Sequence, residues 1–469
     1  MQKIVSDIEK LKLRLALEDF ESLELPPYTR CKIGSLLPKS LHFSSLDDIA
    51  FNVFDKALLY KYKDFSLNTE KKLIFFTWVI PSGLGDLSMQ IHIANIIKKN
   101  HPGLPIELIS IVHETSFIPE PLKSTLPHHI IKYCHPNPPT FSTEITSLLR
   151  EAFSVIEIPT AYFDFPSLKK MIQKGNKTPP IISRIGQYGF IGTEDYNPTT
   201  RERSMGLHFL EKGVIILEKV PPQKRDFDCY FAYLITKSGI LTYLYSILLN
   251  RMKDQKDLTL LSPNLDRLLP ILQEIDFKSY NIKKIVIKDF PNISSIDFME
   301  AGKTITIEHV KNLHPKKILH YMSTCNPFVG IRGDGSFTEC LSTDALFFYD
   351  ALDHAIPFLT DLTYIAHDEL MAYYSLGEYL LNLINIKTDP LLRAKAIAEL
   401  LDDRSVFAGL EKLRSHLQKY YRFNETLDHL IRQNFAFYQD PSLKSKDEAL
   451  FMDFINEKIP FSKVYKKRS

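Results

Sequence analysis

The chain has 469 residues, long enough for two domains with appendages, and its 44% hydrophobic and 24% charged residues are the composition of an ordinary globular protein. Its 58 basic and 56 acidic residues leave a net charge of +2, so no nucleic-acid partner follows from charge. No window approaches ~20 uninterrupted apolar residues, which excludes an expected membrane span, and the opening MQKIVSDIEKLKLRL is too charged for a signal peptide.

Residues 2 to 23 and Leu46 to Tyr62 carry apolar side chains at helical spacing and predict a helical amino-terminal extension over 1–70. Lys72 to Ile80 then reads as a buried strand. Pro81-Ser82-Gly83-Leu84-Gly85-Asp86 follows as a glycine turn, opening a helix from Leu87 to Asn100 that His101-Pro102-Gly103 ends. Further strands are expected at Ile106 to Val112, His129 to Tyr133 and Ser154 to Pro159, with helices at Thr143 to Phe153 and Ser167 to Lys174. This alternation predicts a parallel sheet with helices on both faces. Pro179 to Gly192 and Arg201 to Gly213, rich in Gly, Arg and Ser, read as a long loop facing a site or as an ordinary irregular connection, and Val214 to Leu217 as a return to strand.

The prolines and charges of Pro221 to Asp228 mark a boundary, dividing a domain at 71–222 from one at 223–370. In the latter, helices are expected at Ile240 to Met252, Leu265 to Ile275 and Pro315 to Thr324, and strands at Leu258 to Leu261, Lys283 to Ile287 and Thr304 to Glu308. The domain closes with Pro327 to Ile331 as a buried strand, the turn Gly333-Asp334-Gly335, a helix from Phe337 to Ser342, and a strand from Ala345 to Tyr349. Ser336 and Glu339 have the spacing of a capping box. Residues 371–469 are expected to be a helical carboxyl-terminal region, with amphipathic runs at Leu391 to Leu401, Val406 to Tyr421 and Thr426 to Phe435.

Five cysteines, at 31, 134, 229, 325 and 340, are odd in number and have no CxxC spacing. They point to reduced thiols in the cytoplasm, or in a host cytosol for a secreted chain, and argue against a disulfide framework or zinc module.

Ligands of open α/β sheets bind where strand carboxyl ends meet helix amino ends. At the second glycine turn a helix amino terminus offers N–H groups and about half a positive charge to an anion. Arg332 adds charge there, and Glu339 is a carboxylate for a ribose or sugar hydroxyl, so phosphate plus polyol suggests a nucleotide sugar. The plainer reading of a lone Gly-X-Gly is that Asp334 and Ser336 make only the turn and the cap. Asp86, after two glycines at a helix start, is a candidate general base or simply a helix cap. His309, beyond the strand ending at Glu308, is a lower-ranked candidate for contact with a base.

Gly333-Asp334-Gly335-Ser336-Phe337-Thr338-Glu339 followed by Ala345-Leu346-Phe347-Phe348-Tyr349 is similar to the donor diphosphate and ribose motif of inverting GT-B glycosyltransferases. Ser82-Gly83-Leu84-Gly85-Asp86 resembles the amino-terminal glycine loop of the same group, and within it of the protein-arginine rhamnosyltransferases. The resemblance implies two Rossmann-like domains, donor contacts from Arg332, Gly333, Asp334, Gly335, Ser336, Phe337 and Glu339, and a base at Asp86 on the loop of Gly83 and Gly85. It also implies transfer from a nucleotide-sugar co-substrate to a protein or other acceptor, with no metal and no further cofactor. The family has two acidic residues before the Ser-Phe pair, where this chain has Asp334 and Gly335. A sugar-nucleotide epimerase of the same architecture and a non-catalytic interaction protein on this scaffold are the alternatives.

Overall fold

The computed structural model describes residues 55, 58–79, 85–114, 125–134, 141–158, 172–173, 178–189, 202–207, 212–311, 315–369 and 374–455. The helices expected over 2–23, most of those over 46–62 and 167–174, and Ser82 and Gly83 of the first glycine turn lie outside these residues. The chain divides into two compact units, 1–118 with 123–215 and 417–469, and 119–122 with 216–416.

In the first unit the β-branched and aromatic run LIFFTWV forms β1 (Leu73–Val79), fully buried but for Trp78. A run apolar on both sides has to be covered on both faces, which only a central parallel strand provides. It lies between β2 (Ile106–His113) and β4 (Ser154–Glu157) in an all-parallel sheet of order β3-β2-β1-β4-β5-β6, with β3 at His128–Tyr133, β5 at Ile181–Gly186 and β6 at Glu202–Ser204. Helix α1 (Gly85–Asn100) links β1 to β2, and α2 (Thr143–Glu151), capped by Ser142, packs Ile145, Leu148 and Leu149 onto Ile74, Phe76 and Ile109. The stretch expected to be loop therefore holds two strands. Conversely, Val214 to Leu217 forms no strand: Val214 makes a single bridge to Arg422.

His128, at the start of β3, is held neutral. Gln90 Nε2 donates to the carbonyls of Phe75 and Ile109, at 2.7 and 3.0 Å, Ser110 donates to Gln90 Oε1 at 2.7 Å, and His128 Nε2 lies 2.8 Å from Ser110 Oγ as the remaining donor. Its Nδ1 is buried without a partner. Burial, and secondarily neighbouring His129, pull its pKa down to about 4. The unfolded ring takes up its proton near 6.5 and the folded ring only near 4, so this contribution is whole above pH 6.5 and is lost as pH falls from there towards 4, by up to roughly 3 kcal/mol. Denaturant titrations of His128→Gln should show a flatter dependence than wild type across that window; coincident slopes would exonerate His128.

In the second unit β7 (Cys229–Phe231), β8 (Leu258–Ser262), β9 (Ile282–Asp289), β10 (Asn292–Asp297) and β11 (Lys303–His309) form a sheet of order β10-β9-β11-β8-β7, with only β10 antiparallel. β12 (Phe328–Ile331) pairs in parallel with β13 (Leu346–Tyr349) and joins β7 through a parallel bridge from Gly330 to Ala232. Between strands run α3 (Lys237–Asn250), α4 (Leu265–Leu272), α5 (Pro315–Thr324) and α6 (Gly333–Leu341).

The carboxyl-terminal helices are shared between the units. α7 (Ile356–Tyr364), α8 (Tyr374–Ile384), α9 (Pro390–Leu401) and most of α10 (Arg404–Tyr420) belong to the second; α11 (Phe423–Gln439) and α12 (Pro441–Ile455) belong to the first. There Asn434, fully buried on α11, donates to Ser154 at 2.9 Å and to Ser183 at 3.0 Å, and Phe423 N donates to the Val214 carbonyl at 2.9 Å. Leu427, Leu430, Ile431 and Phe437 bury the same helix, each contributing about 1.5–3 kcal/mol. No described helix is long and apolar enough to cross a membrane.

Candidate functional site

In the second unit the strand order reverses between β7, followed by α3 towards β8, and β12, which lies on the other side of β7. Such a reversal opens a crevice at the carboxyl ends of the two strands, and here two helix amino termini meet it. Gly333 has φ +78°, a conformation that strains any residue with a side chain, and it turns the chain directly from β12 into α6. The helix thus begins four residues before the expected Phe337, with Arg332 as its N-cap, whose side chain makes no cap hydrogen bond. Ser336 falls beyond the first turn and is buried, so the expected capping box is not formed. The amides that open the helix are those of Gly333, Asp334 and Gly335.

The same four-residue advance carries Glu339 inward, where it is 2% exposed, and buries Phe337 against Phe347 and Phe358. Asp334 stays half-buried in the first turn. Tyr233, just past β7, is raised in pKa by burial, opposed by the Arg332 charge and reinforced by Glu339, so it remains a neutral donor among these groups. His309 is engaged on both ring nitrogens, Nδ1 with Asp289 at 2.9 Å and Nε2 with the Pro263 carbonyl at 3.1 Å, which leaves neither for a base.

One carboxylate ties the two helix starts together. Asp350, at the end of β13 with its side chain 1% exposed, accepts from the amides of Ile235 at 2.7 Å and Thr236 at 2.9 Å and from the Thr236 hydroxyl, and pairs with Arg332 at 3.4 Å. Thr236 in turn caps α3 by accepting from Gly239 N at 2.9 Å. A Cβ on Gly239 would lie 2.1 Å from Asp350 Oδ1, so only glycine admits this approach. Beneath lies Arg393 of α9, 2% exposed, with Nε and Nη1 unpartnered; burial pulls its pKa down to about 10 against the opposing pull of Asp350.

Sequence reasoning missed Tyr233 and Thr236 because the three-residue β7 is too short to announce itself, and Arg393 because it lies on α9, far along the chain from this junction. The signal that could have found the junction was Thr236 with Gly239 three residues on.

In the first unit the reversal lies between β1 and β4. Asp86 stands in the first turn of α1, the helix that comes next in the chain after β1, half-buried, with Gln187 Nε2 3.5 Å from its Oδ1. Gln187 follows β5, so the segment expected to face a site does reach this carboxyl edge. Gly85 is exposed, with open space where a Cβ would be. Glu157, the last residue of β4, is a further buried carboxylate, 3.3 Å from Arg184.

No family model and no curated protein matches the chain. Among solved structures it is similar to MurG of Acinetobacter baumannii, at 11% identity and a TM-score of 0.41 over 77% of this chain and 99% of that one. A glycosyltransferase of Rickettsia africae gives 11% and 0.40 over 79% and 99%. The amino-terminal domain of Candida albicans trehalose-6-phosphate phosphatase gives 10% and 0.40 over 80% and 98%.

Proposed function

We propose that the chain is a GT-B glycosyltransferase that moves a sugar from a nucleotide-sugar donor to a protein or other acceptor, with inversion and without a metal. The observation that supports this most is the anion site of the second unit, where the start of α6 and the Arg332 guanidinium stand at the strand-order reversal. In this reading the donor diphosphate lies on the amides of Gly333 to Gly335. Arg332 and the helix dipole take up the charge that grows on the leaving diphosphate, the role a cation fills elsewhere. Tyr233 donates a hydrogen bond, and Glu339 acts from within by polarising Tyr233. Asp86 removes the acceptor proton as the acceptor atom bonds to the anomeric carbon and the carbon–oxygen bond to the diphosphate breaks.

A thermal-shift panel of nucleoside diphosphates and nucleotide sugars tests the site. A ligand at 100 times its dissociation constant should add about 2.7 kcal/mol. Arg332→Gln, which removes a charge-assisted hydrogen bond of about 1.5–3 kcal/mol, should weaken the same ligand roughly 10- to 100-fold. A wild-type protein indifferent to the whole panel sinks the proposal. Donor turnover without any acceptor would instead favour the epimerase.

A further inference from the structure

We propose that Cys229 and Cys325 are a thiol-modification site, at which a low-molecular-weight disulfide oxidises the pair to a cross-link between the start of β7 and the junction of α5 with β12. The two sulfurs lie 3.6 Å apart although 96 positions separate them in the chain. Both backbones are already fixed: Asn326 N donates to the Cys229 carbonyl at 2.6 Å, Asp226 N to the Thr324 carbonyl at 2.6 Å, and Arg225 Nη1 to the Cys325 carbonyl at 2.6 Å. A disulfide therefore asks the sulfurs to close by only about 1.5 Å, within the reach of side-chain rotation.

The two thiols are unequal in a way that assigns their roles. Cys229 is half-buried and reachable, whereas Cys325 is 3% exposed. The hydrogen bond from Cys325 lowers the Cys229 pKa, against burial and the charges of Asp226 and Glu308; the same bond, then burial, raises that of Cys325. Cys229 attacks one sulfur of the small disulfide and expels the other as a thiolate, which takes up a proton. Cys325 then gives up its proton and attacks the Cys229 sulfur, expelling the second small thiol. Two protein thiols lose two electrons and two protons, and the small disulfide gains them. The site is independent of the transfer reading.

Full-length protein incubated with oxidised glutathione under native conditions should lose the mass of two hydrogens and two free thiols, and a non-reduced peptide map should join Cys229 to Cys325. Closing so long a loop should raise the melting temperature by roughly 5–10 °C, reversibly with dithiothreitol. Cys325→Ser should stop at one glutathione on Cys229, and Cys229→Ser should leave Cys325 unmodified. Absence of the cross-link in wild type, a lasting glutathione adduct on Cys229, or a cross-link through another cysteine overturns the proposal. Should either variant fail to fold, the wild-type map decides alone.

Discussion

Asp350→Ala should destabilise the second unit by about 3–5 kcal/mol, the loss expected when one partner of a buried ionic network is removed. The deletion strips acceptors from the amides of Ile235 and Thr236 and from the Thr236 hydroxyl, and leaves the buried Arg393 guanidinium without its nearby counter-charge. For a unit of this size that is a fall of roughly 10 °C in melting temperature. Gly239→Ala should act in the same direction, because its Cβ occupies the space of Asp350 Oδ1. The diagnostic experiment is a double-mutant cycle. Arg393→Met should be far milder than Asp350→Ala and should partly rescue it, since the stranded charge is then gone. Additive effects, or a loss below about 1 kcal/mol for Asp350→Ala, would show that the carboxylate is not the joint between the two helix starts.

Asp86→Asn should leave donor affinity in place while turnover falls by the roughly 10²–10⁴ that a general base supplies. Asparagine keeps the size and much of the helix-start preference of aspartate, and it forfeits the interaction with the α1 dipole, about 0.3–1 kcal/mol. The melt should consequently move little. Donor binding, turnover and melting are to be measured on one preparation with an identified donor and acceptor. Near-normal turnover would reduce Asp86 to a helix-start residue and direct attention to Glu157, a further carboxylate at that edge. A collapse of folding would shift the decision to Asp86→Glu, which keeps the charge and moves it by about one methylene.

What the sequence determined by itself is local. The apolar run of β1, the period of α1 and the strand–glycine–helix–strand unit from Phe328 to Tyr349 depend on neighbours a few positions away, and they sufficed for two α/β units and for locating the second glycine turn. The short strands escaped because β5 lies inside a Gly, Arg and Ser background, β7 has three residues, and β10 is exposed throughout. The start of α6 escaped because a spacing of Ser and Glu cannot reveal that Gly333 takes a positive φ. The tertiary structure alone decided which distant residues meet: Asp350 with Thr236, Asn434 with Ser154 and Ser183, Cys229 with Cys325. These contacts are set by strand order, and strand order is chosen by the burial of whole faces, which no short window of sequence contains.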